Sequence, residues 1–235
     1  DLNDYSGPVV ERTAHRAGII KIAGSADGPS DRDRRVFEAA ALAHLATGVP
    51  ILTHCEAGTG ALAQLRLLTD HGVALDIKDV PWAGRQMWAP DAAEKGGRYY
   101  LYFPVKDKQD VFRIGAAVGD NPAGPFKAQP EAIKGSFSMD PAVFKDTDGK
   151  YYMYFGGIWG GQLQRWATGA YKGEDVYPAK DQPALSAKVA RLGDDMVTLA
   201  EAPKDVVLLD EKGKALTAGD NGRRFFEAAW LHKYK

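Results

Sequence analysis

The chain has 235 residues, 45% hydrophobic and 26% charged, with a formal net charge of −1. That balance gives no global electrostatic case for nucleic acid or an anionic membrane as partner. No apolar run approaches the roughly 18 residues of a membrane span and no signal peptide is visible, which leaves the compartment open.

The first element is Gly18-Ile19-Ile20-Lys21-Ile22-Ala23-Gly24, an apolar run bounded by glycines that reads as a buried strand. Ser30 offers a helix N-cap, with Pro29 before it and Asp33 three residues on. Val36, Phe37, Ala40 and His44 then recur at helical spacing, and Gly48 and Pro50 stop the helix. Val49 to Cys55 predicts a second buried strand; Cys55 is the only cysteine, so no intrachain disulfide is possible. Thr59 or Gly60 opens a second helix with Leu62, Leu65 and Leu68 on one face and Gly72 at its end. Strands alternating with helices imply parallel pairing, as in a (β/α) barrel or a doubly wound sheet.

Lys21 and His54 break the apolar pattern of these strands. A lysine buried among isoleucines should have a depressed pKa, and a neutral lysine can capture carbon dioxide as a metal-binding carbamate. His54, at a strand end, is a candidate metal ligand. The plainer alternative is a lysine that snorkels to solvent and a hydrogen-bonded core histidine. Ala17 to Lys21 and Pro50 to Thr59 closely resemble the central strands of the phosphotriesterase family and its lactonase relatives. These are metal-dependent hydrolases on a TIM barrel. The resemblance covers about residues 1–76. It implies Lys21 as a carbamylated lysine bridging two divalent metals such as zinc, and His54 as a ligand to one. The family's His-x-His pair is missing from the five histidines 15, 44, 54, 71 and 232.

Composition changes near residue 73. Residues 1–73 hold one lysine and two aromatics; residues 74–235 hold the other 16 lysines and 22 aromatics, including all five tryptophans. The shift predicts two units, 1–73 and 74–235, meeting in the stretch Thr69 to Asp76 without a linker.

In the second unit, Ala89 to Phe103 and Asp140 to Phe155 align with each other about 50 residues apart. Each reads as a strand, a glycine-containing turn and an aromatic strand. Val111 to Val118 adds a strand, and Asn121 to Phe126 a turn and edge. Glu227 to Lys235 looks like a third start. Asp146-Thr147-Asp148-Gly149 has the look of a calcium loop, but it lacks the remaining ligand spacing and reads as a polar hairpin turn. Antiparallel blades around an axis fit this repeat. The expected fold is therefore mixed: a partial α/β, TIM-barrel-like βαβα segment followed by all-β propeller-like blades.

The first strand of each blade lines a propeller's channel, so Asp91, Asp140 and Glu227 would converge on one funnel. Glycoside hydrolysis needs paired carboxylates. Trp88 and Trp230 could give a sugar ring an apolar platform, and the apolar neighbours of Glu227 would raise its pKa, as a general acid requires. Trp88-Ala89-Pro90-Asp91, Ser138 to Phe144 and Arg224 to Trp230 closely resemble family 43 glycoside hydrolases. These are five-bladed propellers that act with inversion on arabinose- or xylose-containing plant polysaccharides. The resemblance runs from about residue 70 to 235. It implies Glu227 as general acid and Asp140 as the carboxylate that orients and tunes it. Trp88, Asp91, Arg224 and Trp230 would bind substrate, and no cofactor is required. The general base would be an aspartate of the first blade, which this chain does not contain.

The leading expectation is an inverting glycosidase or a fragment of one, with a carbohydrate partner. The alternatives are a metal-dependent phosphotriesterase or lactonase and a non-catalytic chain joining two partial families. Uncovered sheet edges would favour self-association.

Overall fold

The computed structural model describes residues 19–25, 28–47, 49, 51–55, 60, 63–64, 67–68, 75–122, 124–229 and 231. The first unit pairs strand β1 (Ile20–Gly24) in parallel with β2 (Ile51–Cys55), Ile20 opposite Ile51 and Ala23 opposite His54. Helix α1 (Asp31–Thr47) connects them. Its start is the predicted reciprocal cap. The Ser30 hydroxyl accepts from the Asp33 amide at 3.2 Å, and the Asp33 carboxylate accepts from the Ser30 amide at 2.9 Å. These bonds, the backbone bond from Ser30 first and the Ser25 hydroxyl next, hold the Asp33 carboxyl down at about 2.

One face of the two-stranded sheet is covered. Ile20, Ile22 and Ile51 pack with Phe37, Ala40, Ala41 and Leu68. Alternation sends Lys21 and His54 to the other face, where both are exposed. The expected burial of Lys21 is therefore corrected: a strand buried on both faces needs a layer on each side, and among the described residues the packed side chains of α1 and Leu68 gather on one face. Residues 63–64 and 67–68 are helical, but Leu62, Leu65 and Gly72 of the expected second helix lie outside the described residues. The observed unit is a right-sized strand–helix–strand; two strands do not make a barrel, and the TIM-barrel assignment stays with the sequence resemblance alone.

The second unit contains two antiparallel sheets. In the first, β5 (Arg98–Asp107) pairs on one side with β3 (Ala83–Arg85) and β4 (Asp91–Lys95), and on the other with β6 (Phe112–Gly119), followed by the short β7 (Lys127–Ala128). The second has the order β11-β10-β9-β8, formed by β8 (Ala142–Lys145), β9 (Tyr151–Phe155), β10 (Ala187–Arg191) and β11 (Lys204–Val206). The two predicted repeats are the hairpins β4–β5 and β8–β9. Gly96 and Gly97 turn the first with positive φ, as Gly149 does the second within the predicted Asp146–Gly149 turn.

A common core locks the sheets together. Tyr100, Tyr102, Ile114 and Ala116 of the first sheet pack with Tyr151, Met153 and Phe155 of the second and with Leu192 and Met196. Two of its three buried phenols are satisfied across the interface. Tyr102 donates to the Met196 carbonyl at 2.8 Å and Tyr151 to the Glu94 carbonyl at 2.6 Å. Two sheets packed in this way are blades, and they do not close into a ring. The third expected start is not a strand at residues 225–229, and Trp230 and residues 232–235 lie outside the described residues.

Candidate active site

The site is built where three segments meet: Ser138-Met139-Asp140 before β8, the loop Gly156 to Gln164 after β9, and Phe225 to Ala228. Backbone bonds join them. The Gly156 amide donates to the Met139 carbonyl at 2.7 Å, and the Ile158 amide to the Phe226 carbonyl at 3.0 Å. The buried Ser138 hydroxyl donates to the carbonyls of Gly157 and Gly161 and accepts from the Gly157 amide at 3.0 Å. Met139 then lies directly on two glycines. A Cβ on Gly161 would stand 2.7 Å from Met139 Cγ, and one on Gly157 would stand 2.3 Å from Met139 Cε. Both glycines are required by close approach rather than by a turn.

Backbone strain concentrates here. Eight non-glycine residues have positive φ among the described residues, and five of them, Ser138, Asp140, Trp159, Gln162 and Ala228, belong to these three segments. Each such conformation costs about 1–3 kcal/mol, and it persists only where surrounding contacts enforce it, a pattern typical of active sites.

Asp140 projects toward the third segment, and its Oδ2 accepts from the Ala228 amide at 3.1 Å. Burial pushes its carboxyl above the ordinary range, the Ala228 amide pulls it back, and the negative charge of Glu227 raises it again. The structure thus brings Asp140 and Glu227 together, as expected. It corrects the environment of Glu227, whose side chain is exposed rather than enclosed by apolar neighbours. Residues 225–229 form no regular element, and Phe226, Glu227 and Ala228 are exposed. The more enclosed carboxyl of the pair is Asp140, which is half-buried where Glu227 is exposed.

Aromatic rings flank the pair. Trp88 packs against Phe112 at 4.6 Å between ring centroids and approaches Gly160, where an added Cβ would meet its ring at 3.3 Å. Trp159 is 57% exposed and meets Phe226 edge to face at 4.9 Å. Trp159 was not among the predicted site residues; the signal available in the sequence was a tryptophan between two glycine pairs, Gly156-Gly157 and Gly160-Gly161.

Asp91 has a different job from an open substrate ligand. Its Oδ2 accepts from the Val143 amide at 2.6 Å, which ties the start of β4 to β8 in the next blade. Burial pushes its carboxyl up, against the pull of the Val143 and Ala92 amides. Arg224 is engaged locally, its Nε donating to Asn221 Oδ1 at 3.2 Å. Lys21 and His54 share the open face of the first sheet, but two ligands do not make the coordination shell of a divalent metal such as zinc. No group of three or more His, Cys, Asp or Glu able to hold a metal occurs among the described residues. No described helix is long and apolar enough to cross a membrane.

Two family models match the chain. The family model described as glycosyl hydrolases family 43 matches residues 63–211, and that of the phosphotriesterase family matches residues 7–86. The two overlap across the stretch where composition changes. A xylosidase/arabinosidase of Bacteroides ovatus is 55% identical over 167 residues, 71% of this chain and 51% of that protein. The crystal structure of a family 43 beta-xylosidase/alpha-arabinofuranosidase from a compost microbial metagenome, in complex with xylotriose, is 65% identical. It superposes with a TM-score of 0.67 over 70% of this chain and 51% of that one. On the other side, the phosphotriesterase homology protein of Escherichia coli is 46% identical over 79 residues, 30% of this chain and 27% of that protein. The chain spans about half the length of the curated xylosidase relatives it matches. With more than half of its residues matched by one family model, and with the blades and the paired carboxylates in place, the chain belongs to glycosyl hydrolases family 43.

Proposed function

We propose that this chain carries the acid side of an inverting glycoside hydrolase site for xylose- or arabinose-containing saccharides. The observation that carries the proposal is the Asp140–Ala228 hydrogen bond, which couples a half-buried carboxyl to the backbone beside Glu227. Glu227 is the proton donor to the departing glycosidic oxygen. Asp140 orients the segment that bears it and sets the local charge. Trp88, Trp159 and Phe226 form an apolar wall for the faces of sugar rings, and a ring seated there excludes water from Glu227. Xylotriose in the solved relative supports a pentose substrate. The reaction as proposed uses no cofactor. The boundary at residue 73 belongs to the same proposal: residues 1–73 are a partial phosphotriesterase-type segment and residues 74–235 a partial propeller, with separate hydrophobic clusters in the two parts.

On the resemblance, the general base is an aspartate that this chain does not contain, so turnover needs a nucleophile from outside. The test uses xylobiose with and without azide. Azide attacks the anomeric carbon, the glycosidic C–O bond breaks, and Glu227 supplies the proton to the leaving oxygen, so that xylosyl azide and xylose are released. The chain is expected to cleave xylobiose only with azide, and Glu227→Gln is expected to lose cleavage while still binding xylotriose. No xylotriose binding by the unaltered chain would sink the reading.

A further inference from the structure

Gln164 lies outside the carboxylate pair, yet its side chain is 1% exposed and both ends of its carboxamide act on a single residue. Its Oε1 accepts from the Trp159 amide at 2.8 Å, and its Nε2 donates to the Trp159 carbonyl at 3.2 Å. A carboxamide presents an acceptor and a donor side by side without charge at any ordinary pH, which a carboxyl does only when protonated. Trp159 has φ 57, a left-handed conformation that a bulky residue does not adopt unaided. Tying down its N–H and its C=O fixes the peptide planes on both sides, and hence the direction in which the exposed indole leaves the backbone.

The clamp is anchored in turn. Beside it the Asp175 carboxyl is held below its usual range, by Arg165 first and by Gln164 second. Arg165 Nε lies 2.8 Å from Asp175 Oδ1.

We infer that Gln164 is a positioning residue for sugar recognition: by gripping both backbone polar groups of Trp159 it sets the indole against Phe226 beside Glu227. The sugar part rests on the glycosidase reading above; the clamp stands independently of it.

The experiment uses the whole chain and compares Gln164→Leu, Gln164→Glu and Trp159→Phe with the unaltered protein. Two quantities are read: the indole N–H resonance of Trp159, assigned by its loss in Trp159→Phe, and the xylotriose dissociation constant. In Gln164→Leu the resonance moves and the dissociation constant rises roughly tenfold, the scale of two lost hydrogen bonds. Gln164→Glu keeps the shape and serves if the leucine variant does not fold. An ionised Glu accepts from the Trp159 amide but cannot donate to its carbonyl, whereas a protonated one does both. Lowering the pH from 8 to 5 should therefore return the resonance and the affinity of Gln164→Glu toward those of the unaltered chain at the same pH. A role in general stability alone predicts no such return. An indole resonance unmoved in both Gln164 variants, with unchanged affinity, overturns the inference. Absence of xylotriose binding in the unaltered chain refutes the glycosidase reading, while the resonance still decides the clamp.

Discussion

Replacing Asp91 tests how the blades are held together. The Asp91 carboxylate accepts from the Val143 amide at 2.6 Å in the next sheet. Asp91→Ala leaves that part-buried N–H without its acceptor, a loss of about 1–3 kcal/mol. A melting temperature shifts by about 2–4 °C per kcal/mol for a chain of this size, so a loss of about 2 kcal/mol lowers it by about 4–8 °C. Asp91→Asn keeps an acceptor in place and removes the charge that burial penalises. At pH 7 the order of stability should be Asn at least equal to Asp, and both above Ala. The pH dependence has a definite sign. Burial raises the folded-state pKa of Asp91 above the ordinary 3.8. The proton is thus bound more tightly in the folded state, and that stabilisation is fully present below 3.8 and lost as pH rises through the raised value. Calorimetric melts from pH 3.5 to pH 8 should show the unaltered chain losing ground to Asp91→Asn as pH increases. An Asp91→Ala protein that melts with the unaltered chain at every pH would refute the reasoning.

Asp140→Asn should behave similarly in stability and oppositely in function. Its pKa is raised by burial and by Glu227, so the variant gains stability relative to the unaltered chain as pH rises above 3.8, while azide-dependent cleavage falls; urea unfolding and xylobiose cleavage read the two effects. Gly161→Ala sets a Cβ 2.7 Å from Met139 Cγ in a packed site, which should cost about 1–3 kcal/mol in denaturant unfolding and weaken xylotriose binding; unchanged stability would show that Met139 moves freely. Two strands paired only with each other, and two blades without a third among the described residues, leave backbone groups free to pair between chains. Sedimentation velocity should therefore show association that increases with concentration, and a monomer at all concentrations would count against it.

Much of the local structure was legible in the sequence because it is decided locally. Ser30 and Asp33 cap α1 through bonds that span three residues. Gly96, Gly97 and Gly149 turn their hairpins by φ values that glycine adopts freely. The aromatic alternation of Tyr99 to Phe103 and Tyr151 to Phe155 marks the strands that bury one face. Strands β10 and β11 are not marked in the sequence because they are short and set among turns, and β10 pairs with β9 residues more than 30 positions away, as in Arg191 with Tyr152.

The sequence by itself determined the β1–α1–β2 unit, the repeated hairpins and the identity of the Asp140 and Glu227 carboxyls, since each is carried by residue types at short spacing. Only the tertiary structure decided which of these groups meets which environment. Lys21 and His54 face solvent because one layer covers their sheet. Asp140 is the more enclosed member of its pair because its segment is tied to the Gly156–Gln164 loop, whereas Glu227 stays exposed. Asp91 bridges blades, and Gln164 grips Trp159. These outcomes depend on which segments pack against one another: the Asp91–Val143 and Asp140–Ala228 bonds span more than 50 residues, and the short-range Gln164 grip needs the left-handed turn at Trp159 that the folded loop imposes.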